Sequence, residues 1–113
     1  MLENIVDKLR SETDVSYLFL KPVSKKDAPD YFEYVKHPMD LSTIRQKVKK
    51  LDYKSREEFR QDVVLIVDNA HTYNDGRNLG IPPLADRLLE ICDDLLEEND
   101  ADLTEVESTV EKI

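Results

Sequence analysis

Apolar side chains recur at helical spacing in four stretches of this chain. Residues 2–13 place Leu2, Ile5, Val6 and Leu9 on one face, which predicts a first amphipathic helix. In LSTIRQKVKK the stripe is Leu41, Ile44 and Val48, and Asp40 stands before it as an N-cap. Phe59, Val63, Ile66, Val67 and Ala70 mark a long helix that ends at Asn74, opened by a capping box of Ser55 and Glu58. After DGRNLGIPP, Leu84, Leu88, Ile91, Leu95 and Leu96 define a last helix, and beyond Asp100 the stripe thins to Leu103, Val106 and Val110. Each helix is apolar on one side only, so the expected fold is an all-α bundle of four helices.

Between Ser16 and Pro38 the helical pattern is lost. Pro22, Pro29 and Pro38 punctuate the stretch, each fixing its own φ and discouraging helix in the residue before it. A single helical turn fits at Asp30–Val35. Connections of roughly twenty residues are functional or disordered in compact bundles. This one carries Tyr17, Phe19, Val23, Tyr31, Phe32 and Tyr34, and disordered segments are poor in such residues. It is expected to pack and to line something. The loop ending in Ile81, Pro82 and Pro83 is available to wall the same end of the bundle.

Composition narrows the picture. With 113 residues there is room for one domain, and with glycine at two positions helix is favoured throughout. The formal charge of −9 is uneven: residues 1–74 balance at 13 basic and 13 acidic side chains, and residues 75–113 hold 3 basic against 12 acidic. Duplex DNA is thereby disfavoured as the main partner, because affinity for phosphate is chiefly an effect of Arg and Lys. A basic partner for the acidic last helix is one reading, and a solvated helix face is the plainer one. A basic run of Arg45, Lys47, Lys49, Lys50, Lys54 and Arg56 allows at most an auxiliary nucleic-acid contact. No apolar run approaches the length of a membrane span, and MLENIVDKLR has no signal-peptide character.

The residues that carry chemistry are few. His37, His71 and Cys92 do not form a zinc-ligand spacing, and Cys92 beside Ile91 reads as a buried small hydrophobe. Gly76 and Gly80 make no phosphate loop, and no carboxylate pair stands out. Neither catalysis nor a cofactor has support.

Asn74 remains. It closes the longest helix on the core-facing side, where an unpaired amide costs on the order of 1–3 kcal/mol. A C-terminal cap would explain it, with Asp75-Gly76 as the turn. Under an aromatic-rich loop, the same amide offers a donor and an acceptor to a ligand in an apolar slot. A neutral amide-bearing ligand suits such a slot better than an ammonium, whose desolvation is costly. Quaternary-ammonium cages prefer Trp, and the chain has none. Asn69 keeps the structural reading, tying helix to loop.

The stretches YLFLKPV, APDYFEYVKHPMDLSTI and FRQDVVLIVDNAHTYN together resemble a bromodomain, the reader of acetyl-lysine. The likeness runs over roughly residues 2–100 and rests on the joint occurrence of PDY, HPMDL and a helix ending in YN. It implies a left-handed four-helix bundle over residues 1–100, with 101–113 as an acidic extension or tail. Carried over position by position, Asn74 would bond the acetyl carbonyl oxygen, and Tyr31 would reach the same oxygen through a water. Val23 and Phe19 would wall the acetyl methyl, Tyr73 would line the pocket beside the asparagine, and Ile81 would guard the mouth. Tyr17, Ala28 and Tyr34 are further candidates.

Two features depart from the family pattern. Tyr17-Leu18-Phe19 stands where the shelf usually reads Trp-Pro-Phe, which removes area and rigidity from one wall. The DGRNLGIPP loop is a residue longer than usual, and Ile at the mouth narrows it less than Tyr or Phe. The implied partners are acetylated histone tails and other transcription-initiation subunits. The implied setting is a monomeric, non-catalytic domain in a nuclear chromatin or transcription protein.

Overall fold

Two of the long helices in this chain begin at a side chain that accepts one of their first N–H groups, Asp40 in one case and Ser55 in the other. In the computed structural model, residues 2–23, 29–74 and 79–99 are described, and they form six helices. These are α1 (Leu2–Ser11), α2 (Thr13–Ser16), α3 (Tyr31–Tyr34), α4 (Leu41–Lys49), α5 (Arg56–Asn74) and α6 (Ile81–Glu98). No strand occurs among the described residues. The four long helices are those the apolar stripes predict, and α3 is the single turn expected between Asp30 and Val35. The helix expected over residues 2–13 is instead broken at Glu12, and α2 follows as a separate turn. Ser16, fully buried, donates its hydroxyl to the Arg10 carbonyl at 3.2 Å and holds α2 against the end of α1. The residues 101–113 assigned to an acidic extension lie outside the described residues.

The start of α4 is tied down twice. The Asp40 carboxylate accepts the Thr43 N–H at 3.0 Å and the Thr43 hydroxyl at 2.6 Å, and it also accepts the Ser42 hydroxyl. The next free donors go to the long connection: Leu41 N–H to the Phe19 carbonyl at 2.8 Å and Ser42 N–H to the Leu20 carbonyl at 3.1 Å. Orphan donors of one helix thus fix the height of the segment around Phe19. At its other end α4 closes in a Schellman motif, with Leu51 N–H on the Val48 carbonyl and Asp52 N–H on the Lys47 carbonyl. Leu51 holds the left-handed position that normally takes glycine, at φ 59°, and its side chain is 85% exposed.

Ser55 caps α5, accepting the Glu58 N–H at 3.4 Å. The reciprocal half of the capping box is shifted by one residue. Glu58 accepts from Lys54 N–H, at 3.3 and 3.4 Å, in place of Ser55 N–H. At the start of α6 the sequence reading needs correcting. Ile81, Pro82 and Pro83 do not end a loop but form the first turn of the helix. Proline fits there because first-turn N–H groups have no partner within the helix and φ is already near the helical value.

The core draws one face from each long helix. Ile5, Val6 and Leu9 of α1, Leu41 and Ile44 of α4, and Phe59, Val63, Ile66, Val67 and Ala70 of α5 are buried together. From α6 the buried face is Ala85, Leu88, Cys92 and Leu96, with Leu84, Ile91 and Leu95 on its flanks. The expected stripe is therefore rotated. Small residues at 85 and 92 sit on the line of contact, which lets α6 pack closely along α5. Ion pairs lace the surface, Arg45 to Asp7 at 2.8 Å and Arg60 to both oxygens of Asp93 at 2.7 and 3.2 Å.

Candidate binding site

Where α5 ends and α4 and α6 begin, the bundle opens into a cavity of about 600 Å³. One wall is the segment Tyr17–Val23, held in place by the α4 donors on Phe19 and Leu20. Opposite it, Ile66, Ala70, Tyr73 and Asn74 line the cavity from α5, while Tyr31 and Met39 close it from the α3–α4 region. Ile81 contributes from the first turn of α6. The acidic C-terminal half of α6 lies away from it.

Of the residues singled out from sequence, Asn74, Tyr31, Val23, Phe19, Tyr73, Ile81 and Tyr17 all line this one cavity. Ala28 lies outside the described residues. Tyr34 is not a lining residue; it is half exposed and meets the Tyr73 ring edge-on at 6.1 Å. Sequence reasoning missed Leu18, Leu20, Lys21, Pro22, Met39, Ile66 and Ala70 as lining residues. Two of these had a signal. Ala70 and Ile66 stand four and eight residues before Asn74, hence on its face of the helix.

Three asparagines, two in α5 and one at the end of α6, separate by their partners. Asn99, ending α6, donates its amide to the Leu95 carbonyl at 2.7 Å, as a capping residue does. Asn69, buried, donates to the His37 carbonyl at 2.9 Å and ties α5 to the segment before α4. The half-buried Asn74 side chain hydrogen-bonds no other described residue. The same holds for the hydroxyl of Tyr31, a residue that is only 7% exposed. Burial, with the Tyr73 phenol beside it, pushes the Tyr31 pKa above its ordinary value, so the hydroxyl keeps its proton and can donate. Two polar groups without described partners therefore face a largely apolar cavity.

Tyr73 is engaged differently. Its hydroxyl donates to Asp30 Oδ1 at 2.6 Å, and its ring stands edge-on to Tyr31 with centroids 5.0 Å apart. His71, one turn before Asn74, meets Asp86 of α6 at 2.8 Å. Among the described residues no group of His, Cys, Asp or Glu is placed to hold a metal ion. No described helix is long and apolar enough to cross a membrane. Cys92 is buried in the core, as its neighbours predict, and burial pushes its thiol up to about 12.

A family model described as Bromodomain matches residues 2–81, and the chain belongs to the bromodomain family. The details of the loops resemble the bromodomain of the largest TBP-associated subunit of TFIID in a plant version, and curated relatives bear this out. Over 111 residues, 98% of this chain, it is 62% identical to transcription initiation factor TFIID subunit 1 of Arabidopsis thaliana. Against the Oryza sativa subunit of the same name the identity is 58%, again over 98% of this chain. This chain spans only 6% of the length of either relative. A solved structure of the bromodomain from human BAZ1A is 36% identical and matches with a TM-score of 0.76, over 85% of this chain and 88% of that one.

Proposed function

We propose that this chain is a non-catalytic reader that docks acetylated lysine of a histone tail. The observation that carries this reading is a pair of polar groups without a hydrogen bond to another described residue, Asn74 and the Tyr31 hydroxyl, on a largely apolar cavity about 600 Å³ in volume. An acetyl-lysine side chain is neutral, long and apolar until its terminal amide, so it satisfies both demands of the site. The Asn74 amide donates to the acetyl carbonyl, and Tyr31 donates to the same oxygen through a water. Phe19 and Val23 enclose the methyl, Tyr73 and Tyr17 flank the chain, and Ile81 stands at the mouth. An unmodified ammonium would lose hydration with no carboxylate among the described lining residues to compensate. Likeness to TFIID subunit 1 supports a setting in nuclear transcription initiation, where other subunits of that assembly are further partners.

Affinity is modest, because one buried side chain must offset the ordering of a tail. Calorimetry with acetylated and unmodified histone peptides tests the reading: the acetylated peptide binds, and Asn74→Ala abolishes the difference. Equal binding of both peptides by the wild-type domain would overturn it.

Recognition of a basic partner by the acidic last helix draws less support. Asp86, Asp93 and Glu90 already meet His71, Arg60 and Arg87. The auxiliary nucleic-acid contact is weakened in the same way, since Arg45 pairs with Asp7 and Lys47 with Asp62.

A further inference from the structure

Asn74 and the Tyr31 hydroxyl, the two polar groups that would meet the ligand, make no hydrogen bond to another described residue. Something else must hold them. Asn74 is placed by the last turn of α5, but Tyr31 sits in α3, a four-residue turn too short to be rigid by itself. Its ring packs edge-on against Phe32 at 5.4 Å and against Tyr73 at 5.0 Å. Phe32 belongs to the same short turn. Tyr73 belongs to α5 and is the residue next to Asn74.

Asp30 is bound to α5 as well. It occupies the N-cap position of α3, where an aspartate normally accepts an N–H of its own first turn. Here its side chain makes no capping bond. One carboxylate oxygen instead accepts the Tyr73 hydroxyl at 2.6 Å, across 43 residues of sequence. That is the length of a charge-assisted O–H···O bond, the stronger kind. A group expected to serve the local turn is committed to the far helix.

We propose that the Asp30–Tyr73 hydrogen bond is a latch that positions Tyr31 against Asn74, setting how well the pocket is organised before a ligand arrives. Asp30 and Tyr73 act here as positioning residues, and the inference rests on the acetyl-lysine reading of the same cavity. Its physical basis is that a site held in its binding geometry loses less freedom on association. With the bond broken, α3 is free to shift relative to α5, and the two groups no longer converge on one oxygen.

Calorimetry and dissociation kinetics on the whole chain, with an acetylated histone-tail peptide that binds the wild type, provide the test. Tyr73→Phe keeps the ring and removes only the hydroxyl; Asp30→Ala removes the acceptor. Each weakens acetyl-peptide binding roughly tenfold, chiefly through faster dissociation, and the double variant is no worse than either single one. Asp30→Asn keeps an acceptor oxygen and falls between Asp30→Ala and wild type. Circular dichroism on Tyr73→Phe separates the latch from a loss of fold, since the retained ring preserves helix content and a cooperative thermal transition. Wild-type affinity in both single variants, or losses that simply add in the double variant, overturns the latch. Failure of the wild type to distinguish acetylated from unmodified peptide overturns the underlying reading instead.

Discussion

The Asn69 amide donates to the backbone carbonyl of His37 at 2.9 Å, joining the middle of the bundle to the segment that leads into α4. The bond spans 32 residues of sequence, and Asn69 is buried. Asn69→Ala therefore strands a carbonyl and costs on the order of 1–3 kcal/mol of unfolding free energy. Urea denaturation of the two proteins measures it.

Asn74 behaves in the opposite way. Its amide supports no bond to another described residue, so Asn74→Ala shifts unfolding free energy by less than about 0.5 kcal/mol. Acetyl-peptide binding in the same variant falls at least tenfold. If the two asparagines proved equally important for stability, a structural cap would be the better account of Asn74.

Leu51 pays twice for its place in the turn after α4. Its φ of 59° crowds a Cβ that glycine lacks, and the side chain gains nothing in return at 85% exposure. Leu51→Gly relieves about 1–2 kcal/mol of strain and gives back part of it in unfolded-state entropy. A net gain of about 0.5–1 kcal/mol is expected, read as a higher midpoint in chemical denaturation.

Alkaline pH destabilises the domain ahead of any change at neutral pH. Burial raises the Cys92 thiol from 9.0 to about 12, and it raises Tyr31 and Tyr53 above their ordinary 10.0. For Tyr53 the hydrogen bond to Asp62 adds to the effect. Between the ordinary and the raised values the folded state keeps protons that the unfolded state has released. Stability is therefore full below about pH 9 and declines as pH rises above it. Unfolding curves across that range show the decline, and Cys92→Ala reduces its slope near the lower end.

The chain's own letters were enough for the four long helices. Their one-sided stripes, the Asp40 cap and the Ser55 cap are local signals, each set by residues within a turn or two of one another. The motifs PDY, HPMDL and YN were enough for the family. Elsewhere local signals misled. A break at Glu12 divides the first helix, and Ser16 reaches back to Arg10. Along α6 the buried face takes in Ala85 and Cys92 with Leu88 and Leu96, because small side chains give α5 room, and Leu84, Ile91 and Leu95 are left on the flanks. Ile81 became helical because two prolines fit a first turn as readily as a loop.

At the site the division is the same. Asn69 and Asn74 are alike in sequence, five residues apart on one helix, and both end or interrupt an apolar run. Sequence could say that each needs a partner, because a buried amide is costly wherever it sits. Only the tertiary structure decided that His37 answers Asn69 while a cavity faces Asn74, because those neighbours arrive from segments folded in from tens of residues away.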